Sequence, residues 1–569
     1  MKIDVSGESV RMNRTLSFIG WSALPLLLCA IVLYPVSMLV IGSFSDSPPG
    51  EPGSFTLENY TALFSDGSLL RLTINTLGIA SLSTTGAVTS GVFMAWLVTR
   101  TDIPFKRLIE IVAILPFLVP ASLLAIGWAI MANPDIGLLN KLWWSIAGGN
   151  DPLLDVYTYG GVAFVMAQHP AGFVYLMSVA PFRNLDPDFE NAARMSGASE
   201  WQIFRKVQLP LLSVALIPAI VYTGIRAFEA FEIPVILGTP ARVMVFTNEI
   251  YSRLKILTPP QYGWTFAVAC LLTFVFGLTL IMLMNRRASK SFVTVTGKGY
   301  RAQEIRLGRW IWVCGALVVL YALCTSLLPL ATIVLSSFFR SFGIYELRNI
   351  TIGNYVAVLG DASVQRALGN TFMLIFAAGS ACVLAATVAA YTLKRRLPRM
   401  QTPVTAILSI PWAMPGLVLG LAMLWAYIRI PGMYGSLLGM GIGLVTMGLS
   451  VAIASVSANI EQLGAELEES AIVHGGDFLQ TFRRILVPLL WPSMIAAWFV
   501  LASMFSRELA MTSLLYGPGS EVLSVVLLRY WEQGRGNYVA VLSVVFIALI
   551  LVLFLAEKIL MRGRDLRKQ

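Results

Sequence analysis

The chain has 569 residues, of which 57% are hydrophobic and only 13% are charged. Soluble domains carry about 25% charged residues, so this composition and a mean hydropathy of +0.74 exclude an ordinary soluble protein. The formal net charge is +10, but the basic residues are spread over short loops and not gathered on one face, so no nucleic-acid partner is indicated.

Continuous apolar runs of about 20 residues recur roughly twelve times, and each is long enough to cross a lipid bilayer as a helix. The runs lack the alternation of barrel strands, so an all-α polytopic membrane protein with about twelve transmembrane helices is predicted. The first run, at residues 17–43, is too long for a signal-peptide core and is expected to remain as a span. With the N-terminus inside, most of the 41 Lys and Arg residues fall in inner loops, as the positive-inside bias requires, so both termini are expected in the cytoplasm.

A six-residue motif recurs in the two halves of the chain. Residues 55–60 end a polar outer loop and are echoed by residues 350–355, and residues 75–76 are echoed by residues 370–371 at the same spacing. A repeat that extends beyond one loop indicates two copies of one unit. Because six spans is an even number, the sequence predicts two parallel six-helix repeats.

The repeat divides the chain into a first half at residues 1–284, a linker at residues 285–309 and a second half at residues 310–569. The linker holds seven Lys or Arg residues and no long apolar run, so it is expected to be a flexible inner segment. The outer loop at residues 132–157 is longer than its counterpart at residues 429–435. This asymmetry suits one asymmetric partner bound across both halves.

Paired prolines recur in the third span of each half, at Pro116 and Pro120 and again at Pro411 and Pro415. A proline in a membrane helix frees a backbone carbonyl and kinks the helix. Two interpretations remain: a broken helix that lines a pathway, or a bend that fits the neighbouring spans.

A second motif occurs at about residues 186–210 and again at about residues 464–488. In both copies a small-residue helical turn leads to a glycine, Gly197 or Gly475, and a proline closes the segment. The glycine can take the left-handed conformation that ends a helix, and the proline suits the first turn of the next one. The motif predicts two short amphipathic helices joined at a glycine, which form a rigid knob at the membrane surface.

Charged residues within two spans are candidates for a pore. Span five carries Arg226, Glu229 and Glu232 at a spacing of three, which places them along one helix face. Span eleven carries Arg507 and Glu508, and Glu508 matches Glu229 because each precedes a glycine by the same interval. The charges indicate either a gate or transient substrate contact, or ion pairing that neutralises both signs within the bundle.

The sequence predicts no metal site and no cofactor. His169 lies within span four and is a further pore candidate, with an interhelical hydrogen bond as the alternative. The second histidine, His474, lies in an inner loop, so the two cannot share a metal. The five cysteines fall in apolar spans without CxxC spacing, which indicates packing.

The chain also lacks a phosphate-binding loop. The nearest fragment, at residues 296–299, lacks the upstream glycine and the Ser or Thr after the lysine. No catalytic residue is therefore expected, and an ATPase that drives the protein would be a separate polypeptide.

The paired glycine-centred motifs resemble the EAA motif of permease subunits of ATP-binding-cassette (ABC) importers. The whole chain is similar to a fused permease with the type I ABC importer fold. The resemblance implies location in a bacterial inner membrane and ATP-driven alternating access. It also implies two copies of a cytoplasmic ATPase subunit, which the loops would contact, and a periplasmic substrate-binding protein. The implied ATPase-docking residues are Glu190, Asn191, Ala192, Ala193, Gly197, Phe204, Arg205, Glu469, Ser470, Ala471, Gly475, Phe482 and Arg483.

Within that family the chain resembles the ferric-iron branch most, through residues 246–251, 259–263, 507–509 and 515–519. Import of thiamine, a phosphonate, a polyamine or another small anion remains an alternative. In the first of the two glycine-centred motifs, one position departs from the family pattern.

The leading glutamate of the motif is Glu469 in the second copy but Asn191 in the first, where Glu190 precedes it. A carboxylate near a helix N-terminus interacts well with the helix dipole, so Glu190 is a candidate substitute.

A secondary transporter is the competing class, since it can also consist of two parallel six-span halves. It would not require paired glycine-centred loops. A membrane enzyme would need clustered Asp, His or Cys at a membrane face, and the sequence has no such cluster.

Overall fold

The computed structural model describes residues 5–185, 187–288, 304–464, 466–474 and 478–565. Within these ranges the backbone forms α-helices joined by short π- and 3₁₀-helical turns, with isolated β-bridges in place of strands. The all-α prediction is confirmed for this part of the chain.

The helices of the first half are α1 Val5–Ser43, α2 Glu58–Ser65, α3 Ser68–Arg100, α4 Lys106–Leu118, α5 Ala121–Met131, α6 Leu138–Ala147, α7 Tyr159–Arg183, α8 Pro187–Met195, α9 Glu200–Ile203, α10 Leu209–Glu229, α11 Phe246–Tyr251 and α12 Tyr262–Ala288. The π-helical turns of this half are Phe204–Gln208, Pro234–Gly238 and Ser252–Ile256.

The helices of the second half are α13 Trp310–Ala322, α14 Leu328–Ser337, α15 Gly353–Gly360, α16 Ala362–Tyr391, α17 Pro398–Leu408, α18 Gly416–Ile428, α19 Leu437–Gln462, α20 Glu466–Val473, α21 Phe478–Thr481, α22 Val487–Ser506, α23 Thr512–Leu515, α24 Leu523–Glu532 and α25 Gly536–Asp565. Its π-helical turns are Leu323–Leu327, Thr392–Arg396 and Phe482–Leu486, and its 3₁₀ turns are Leu347–Asn349 and Ile410–Ala413.

Nine helices in the described ranges are long and apolar enough to cross a membrane, and three bent helix pairs raise the number to 12. The unbroken spans are Trp21–Ser43, Ser68–Arg100, Tyr159–Arg183, Tyr262–Thr279, Trp310–Ser337, Ala362–Arg396, Leu437–Gln462, Phe482–Ser506 and Gly536–Leu560. The bent pairs are Lys106–Leu118 with Ala121–Met131, Trp201–Ser213 with Leu216–Glu229, and Pro398–Ala413 with Gly416–Ile428. The predicted number of spans is therefore confirmed, with six on each side of the linker.

The two halves interlock through their first spans. Helix α1 packs against α17 and α18 of the second half, while α14 packs against α5 of the first half. The Tyr34 hydroxyl donates a 3.4 Å hydrogen bond to the Ala426 carbonyl across this contact. Each half therefore contributes one span to the wall of the other, and the halves are not separate bodies.

The paired prolines break both third spans. The two helices of the pair meet at 97° in the first half and at 107° in the second. Pro120 and Pro415 directly precede α5 and α18, where a proline has no donor to lose and restricts the residue before it. Both α5 and α18 are buried over nearly their whole length. Each third span is therefore a helix broken at its prolines, and its second part lies inside the bundle.

The repeated six-residue motif forms the same contacts in both halves. The Asn59 side-chain amide donates a 2.8 Å hydrogen bond to the Ser45 carbonyl, and the Asn354 amide donates one of 2.7 Å to the Phe339 carbonyl. These bonds tie the start of α2 or α15 to the chain that leaves the first span of the same half.

The second repeated segment, at residues 75–76 and 370–371, also makes equivalent contacts in the two halves. The Thr76 hydroxyl accepts a 3.2 Å hydrogen bond from the Phe246 backbone N–H, and the Thr371 hydroxyl accepts one of 3.0 Å from the Leu523 N–H. In each half a span is thereby joined to the helix that precedes the sixth span.

The long loop at residues 132–157 makes the face that carries it asymmetric. It contains α6, and its Lys141 side chain donates a hydrogen bond to the Gly343 carbonyl of the second half. The Lys141 ammonium also lies 5.6 Å from the ring centre of Tyr345. The first half therefore extends over the second on this face.

The structure describes the expected linker at residues 285–288 and 304–309; residues 289–303 lie outside the described ranges. The Ile305 N–H donates a 2.8 Å hydrogen bond to the Arg100 carbonyl, and the Asp102 N–H donates one of 3.2 Å to the Ile305 carbonyl. Lys106 and Glu304 form an ion pair at 2.7 Å. This end of the linker is held against the turn between the second and third spans, which the local sequence did not indicate.

Candidate functional site

The first glycine-centred loop consists of α8, the turn at Gly197, α9 and the following π-helical turn. Gly197 has a φ of +80°, and a Cβ added there would meet no heavy atom within 4 Å. The Ala198 N–H donates a 3.1 Å hydrogen bond to the Ala193 carbonyl and so closes the end of α8. Glycine is therefore required at this position for its backbone conformation and not for space.

The residues around this turn form an exposed knob. Asn191, Ala192 and Arg205 are exposed and Ala193 is half-buried. Met195, at the tip of α8, is 91% exposed.

The second glycine-centred loop presents a similar surface. Glu469, Ser470 and Arg483 are exposed and Ala471 is half-buried. Gly475 lies outside the described residues. Val473, near the end of α20, is 83% exposed.

The paired phenylalanines of the two loops are half-buried and hold the loops to the bundle. The ring centre of Phe204 lies 6.0 Å from that of Trp96 in α3, and the ring centre of Phe482 lies 5.9 Å from that of Tyr391 in α16. Both pairs are edge-to-face, a favourable geometry for aromatic rings. These phenylalanines therefore serve as anchors, while the exposed arginines beside them face outward.

Glu190 also faces the bundle and not the exposed surface. Its side chain is 1% exposed and forms an ion pair with Arg100, whose side chain is 0% exposed. In the second half Glu468 pairs with Arg395 at 3.4 Å. Glu190 therefore corresponds to Glu468, so it does not replace the glutamate that is missing at Asn191.

Sequence reasoning missed Arg100, Arg395 and Glu468. A signal was present, because the two arginines end equivalent spans at the same repeat spacing as residues 75–76 and 370–371. The sequence did not show that a residue of the motif turns inward to meet them.

The six pore candidates lie together, on both sides of the contact between the halves. Arg226 and Glu229 form an ion pair at 2.9 Å, with the arginine side chain 37% exposed and the glutamate 4% exposed. The Arg226 guanidinium lies 5.5 Å from the ring centre of Tyr222 and 5.2 Å from that of Trp412, which belongs to the second half. The two rings are themselves stacked, with centres 5.8 Å apart.

The other two glutamates lie beside the breaks in the third spans. The Glu232 carboxylate accepts a 2.9 Å hydrogen bond from the Ser122 N–H, at the start of α5. The Glu508 carboxylate accepts one of 2.8 Å from the Met511 N–H and lies next to Gly416, the first residue of α18. Negative charge at a helix N-terminus is stabilised by the helix dipole and by free N–H groups. A carboxylate therefore lies beside the break in each third span.

Charged groups of the two halves lie near enough to influence one another. Arg507 is within interaction range of Glu232, and Arg226 of Glu508. His169 is within range of Arg507, and its ring lies edge-on to Phe117 with centres 5.4 Å apart. We call this set, with Tyr222 and Trp412, the charged cluster; it is listed in full as His169, Tyr222, Arg226, Glu229, Glu232, Trp412, Arg507 and Glu508.

The charged cluster is only partly closed to solvent. His169, Arg226, Glu232, Arg507 and Glu508 are half-buried and not fully buried. The second carboxylate oxygen of Glu229 is buried and has no hydrogen-bond partner in the described structure. Ion pairing therefore neutralises part of the charge, while several polar groups remain accessible. No group of three or more His, Cys, Asp or Glu side chains within the described ranges is arranged to hold a metal ion.

Comparison with known proteins shows similarity to a described family over part of the chain. Residues 87–292 match the model for binding-protein-dependent transport system inner membrane components. The ferric transport system permease protein FbpB of Actinobacillus pleuropneumoniae is 24% identical over 556 residues, which cover 92% of this chain and 76% of that protein.

Two other similarities cover about half of the chain or less. The sulfoquinovosyl glycerol transport system permease protein SmoG of Agrobacterium fabrum is 26% identical over 232 residues, covering 39% of this chain and 73% of that protein. Among solved structures, a bacterial ABC transporter involved in import of the polysaccharide alginate gives a TM-score of 0.39 at 17% identity, over 50% of this chain and 100% of that chain.

Proposed function

We propose, on the premise that this chain belongs to the family of binding-protein-dependent transport system inner membrane components, that it imports ferric iron as the permease subunit of an ABC importer. Its relatives are permease subunits and not enzymes, since separate ATPase subunits hydrolyse ATP. The observation that carries the choice of cargo is the extent of similarity. The match to the ferric permease covers 92% of this chain, whereas the match to the sulfoquinovosyl glycerol permease covers 39%.

We assign ATPase docking to the two glycine-centred loops. Their exposed knobs, with Met195 and Val473 near the tips, are supported from behind by equivalent aromatic pairs and ion pairs. Two such loops in one chain suit two copies of an ATPase subunit. The exposed docking residues are Asn191, Ala192, Arg205, Glu469, Ser470 and Arg483, while Glu190, Phe204 and Phe482 hold the loops in place.

We assign gating to the charged cluster. Arg226 of the first half lies against Trp412 of the second, so the halves must separate here for cargo to pass between them. A ligand can shift this equilibrium only by binding one arrangement better than the other. ATPase subunits that close around the two loops would supply that difference. A pore of this kind needs little affinity of its own, because the substrate-binding protein delivers the cargo.

The topology follows from the docking assignment. The loops lie on the cytoplasmic face of a bacterial inner membrane, and both termini are cytoplasmic because each half contains six spans. The opposite face, with the asymmetric loop at residues 132–157, receives a single periplasmic substrate-binding protein. The organisation proposed is a first permease half at residues 1–284, a linker at residues 285–309 and a second half at residues 310–569.

Uptake by cells tests the cargo. Radiolabelled ferric iron, thiamine, sulfate and a maltodextrin are compared in cells with the gene, without it, and with it restored. The proposal expects gene-dependent uptake of ferric iron alone. Gene-dependent uptake of another substrate without iron would reject the cargo while leaving the importer intact.

A further inference from the structure

The two glycine-centred loops are anchored by equivalent ion pairs that differ in burial. In the first half the Arg100 and Glu190 side chains are fully enclosed, and the Gln208 amide donates a 3.1 Å hydrogen bond to the same glutamate oxygen. In the second half the Arg395 and Glu468 side chains are 25% and 13% exposed.

The second anchor is completed differently from the first. Glu468 accepts a 2.6 Å hydrogen bond from the Tyr391 hydroxyl, and the Arg395 guanidinium also donates to the Leu463 carbonyl. At the repeat position of Gln208 the second half has Leu486, which cannot hydrogen-bond to the glutamate. Arg395 and Glu468 are therefore partly reached by water, whereas Tyr391, which donates to Glu468, is buried.

The buried pair resists separation for an electrostatic reason. Removing one partner of a buried ion pair leaves an uncompensated charge in a poorly polarisable interior, which is strongly unfavourable. A partly exposed pair can exchange its contacts with water at little cost. When the first loop is displaced, α3 therefore moves with it. The second loop can instead shift relative to α16.

Arg100 also connects the first loop to the second half of the protein. Its carbonyl accepts the hydrogen bond from the Ile305 N–H, and the Asp102 carboxylate accepts one of 2.9 Å from the Leu307 N–H. Helix α13 begins three residues later, at Trp310. One residue thus joins a docking loop, the end of α3 and the approach to the first span of the other half.

We infer that Glu190 and Glu468 are positioning residues that make each loop move with its span, and that the first loop transmits more of the ATPase movement than the second. The inference rests on the proposed function and deepens it, because it makes the two halves unequal in coupling. It concerns transmission and does not depend on which cargo is carried.

Spin-label distances test the inference in the full chain bound to its ATPase subunits. One label pair joins positions 195 and 105 and reports on the first loop and the region just after α3. The other pair joins positions 473 and 400, which are the repeat-equivalent places in the second half. In the otherwise unaltered protein both loops should move on ATP binding, with a change in the 195–105 distance smaller than that in the 473–400 distance. Equal changes would overturn the inference.

Three variants separate coupling from stability. Glu190→Gln keeps the size and a hydrogen-bonding group but removes the charge, so cargo moved per ATP hydrolysed should fall about tenfold, because a buried arginine loses its partner. Glu468→Gln should lower the same ratio by less than about threefold, since its pair is partly solvated. Glu110→Gln is the matched control, because it removes an exposed ion pair of the first half with Arg183 at 3.4 Å, and it should leave the ratio unchanged.

Rescue distinguishes a positioning role from misfolding. Exchanging the two charges, by Arg100→Glu with Glu190→Arg, should restore part of the ratio lost in the single variants. Similar losses in Glu190→Gln and Glu468→Gln, or no loss in either, would overturn the inference. Absence of any ATP-dependent distance change in the unaltered protein would instead overturn the proposed function, and the inference with it.

Discussion

Replacing Gly197 by valine tests the role of the first loop with little disturbance elsewhere. The residue has a φ of +80° and open space around its missing Cβ, so valine would clash with no neighbour and would strain only the backbone. A left-handed conformation costs a side-chain-bearing residue about 2 kcal/mol. At 1.4 kcal/mol per factor of ten, that shifts the balance between the native turn and a rearranged one by roughly 30-fold.

The assay is cargo transported per ATP hydrolysed, measured in proteoliposomes with the ATPase subunits bound. Gly197→Val should lower this ratio about tenfold or more, because a rearranged knob no longer transmits ATPase closure. Gly534→Val is the matched control, since Gly534 has a φ of +69°, also has open space, and lies between α24 and α25, far from the loop in the chain. The control should lose similar stability without losing coupling. An unchanged ratio in Gly197→Val, or an equal fall in both variants, would refute the reasoning.

Three further outcomes are expected. Trp412→Ala removes the second half's contact with the Arg226 guanidinium, so leak of cargo without ATP should rise while bound ATPase is unchanged; an unaltered leak would count against the gate. Asn59→Ala and Asn354→Ala should each lower unfolding stability by about 1–3 kcal/mol, and a loss in only one of them, by thermal unfolding in detergent, would show that the repeat is not equivalent. The Tyr530 hydroxyl bonds Asp361 at 2.6 Å and holds the pKa of Asp361 below its usual value. This contribution to stability is present above the ordinary Asp pKa and is lost as pH falls through the lowered pKa. Tyr530→Phe should therefore destabilise the protein at neutral pH but not in strong acid, and a pH-independent difference would contradict this assignment.

Much of the fold was predictable because membrane spans are long apolar runs. The number of spans, the two repeats and the breaks near Pro120 and Pro415 all have local sequence signals. The exchange of α1 and α14 between the halves does not. A lipid-facing and a partner-facing helix side are both apolar, so hydropathy gives no sign of which half a span joins.

The candidate site was partly predictable for the same reason. Charged groups in a span stand out, and Arg226, Glu232 and Glu508 were all identified. Their meeting across the halves depends on the broken spans and on Trp412, which carries no charge to mark it. The inward turn of Glu190 depends on Arg100, a residue 90 positions away, so no local pattern could reveal it.

The central claim is that ATP hydrolysis by separate subunits drives import through this chain. The direct measurement is uptake of radiolabelled ferric iron, delivered by the substrate-binding protein, into proteoliposomes that contain the chain and its ATPase subunits. The two conditions are ATP without a proton gradient, and a proton gradient without ATP. The account predicts uptake in the first condition and none in the second. Uptake driven by the proton gradient alone would contradict it and identify a secondary transporter.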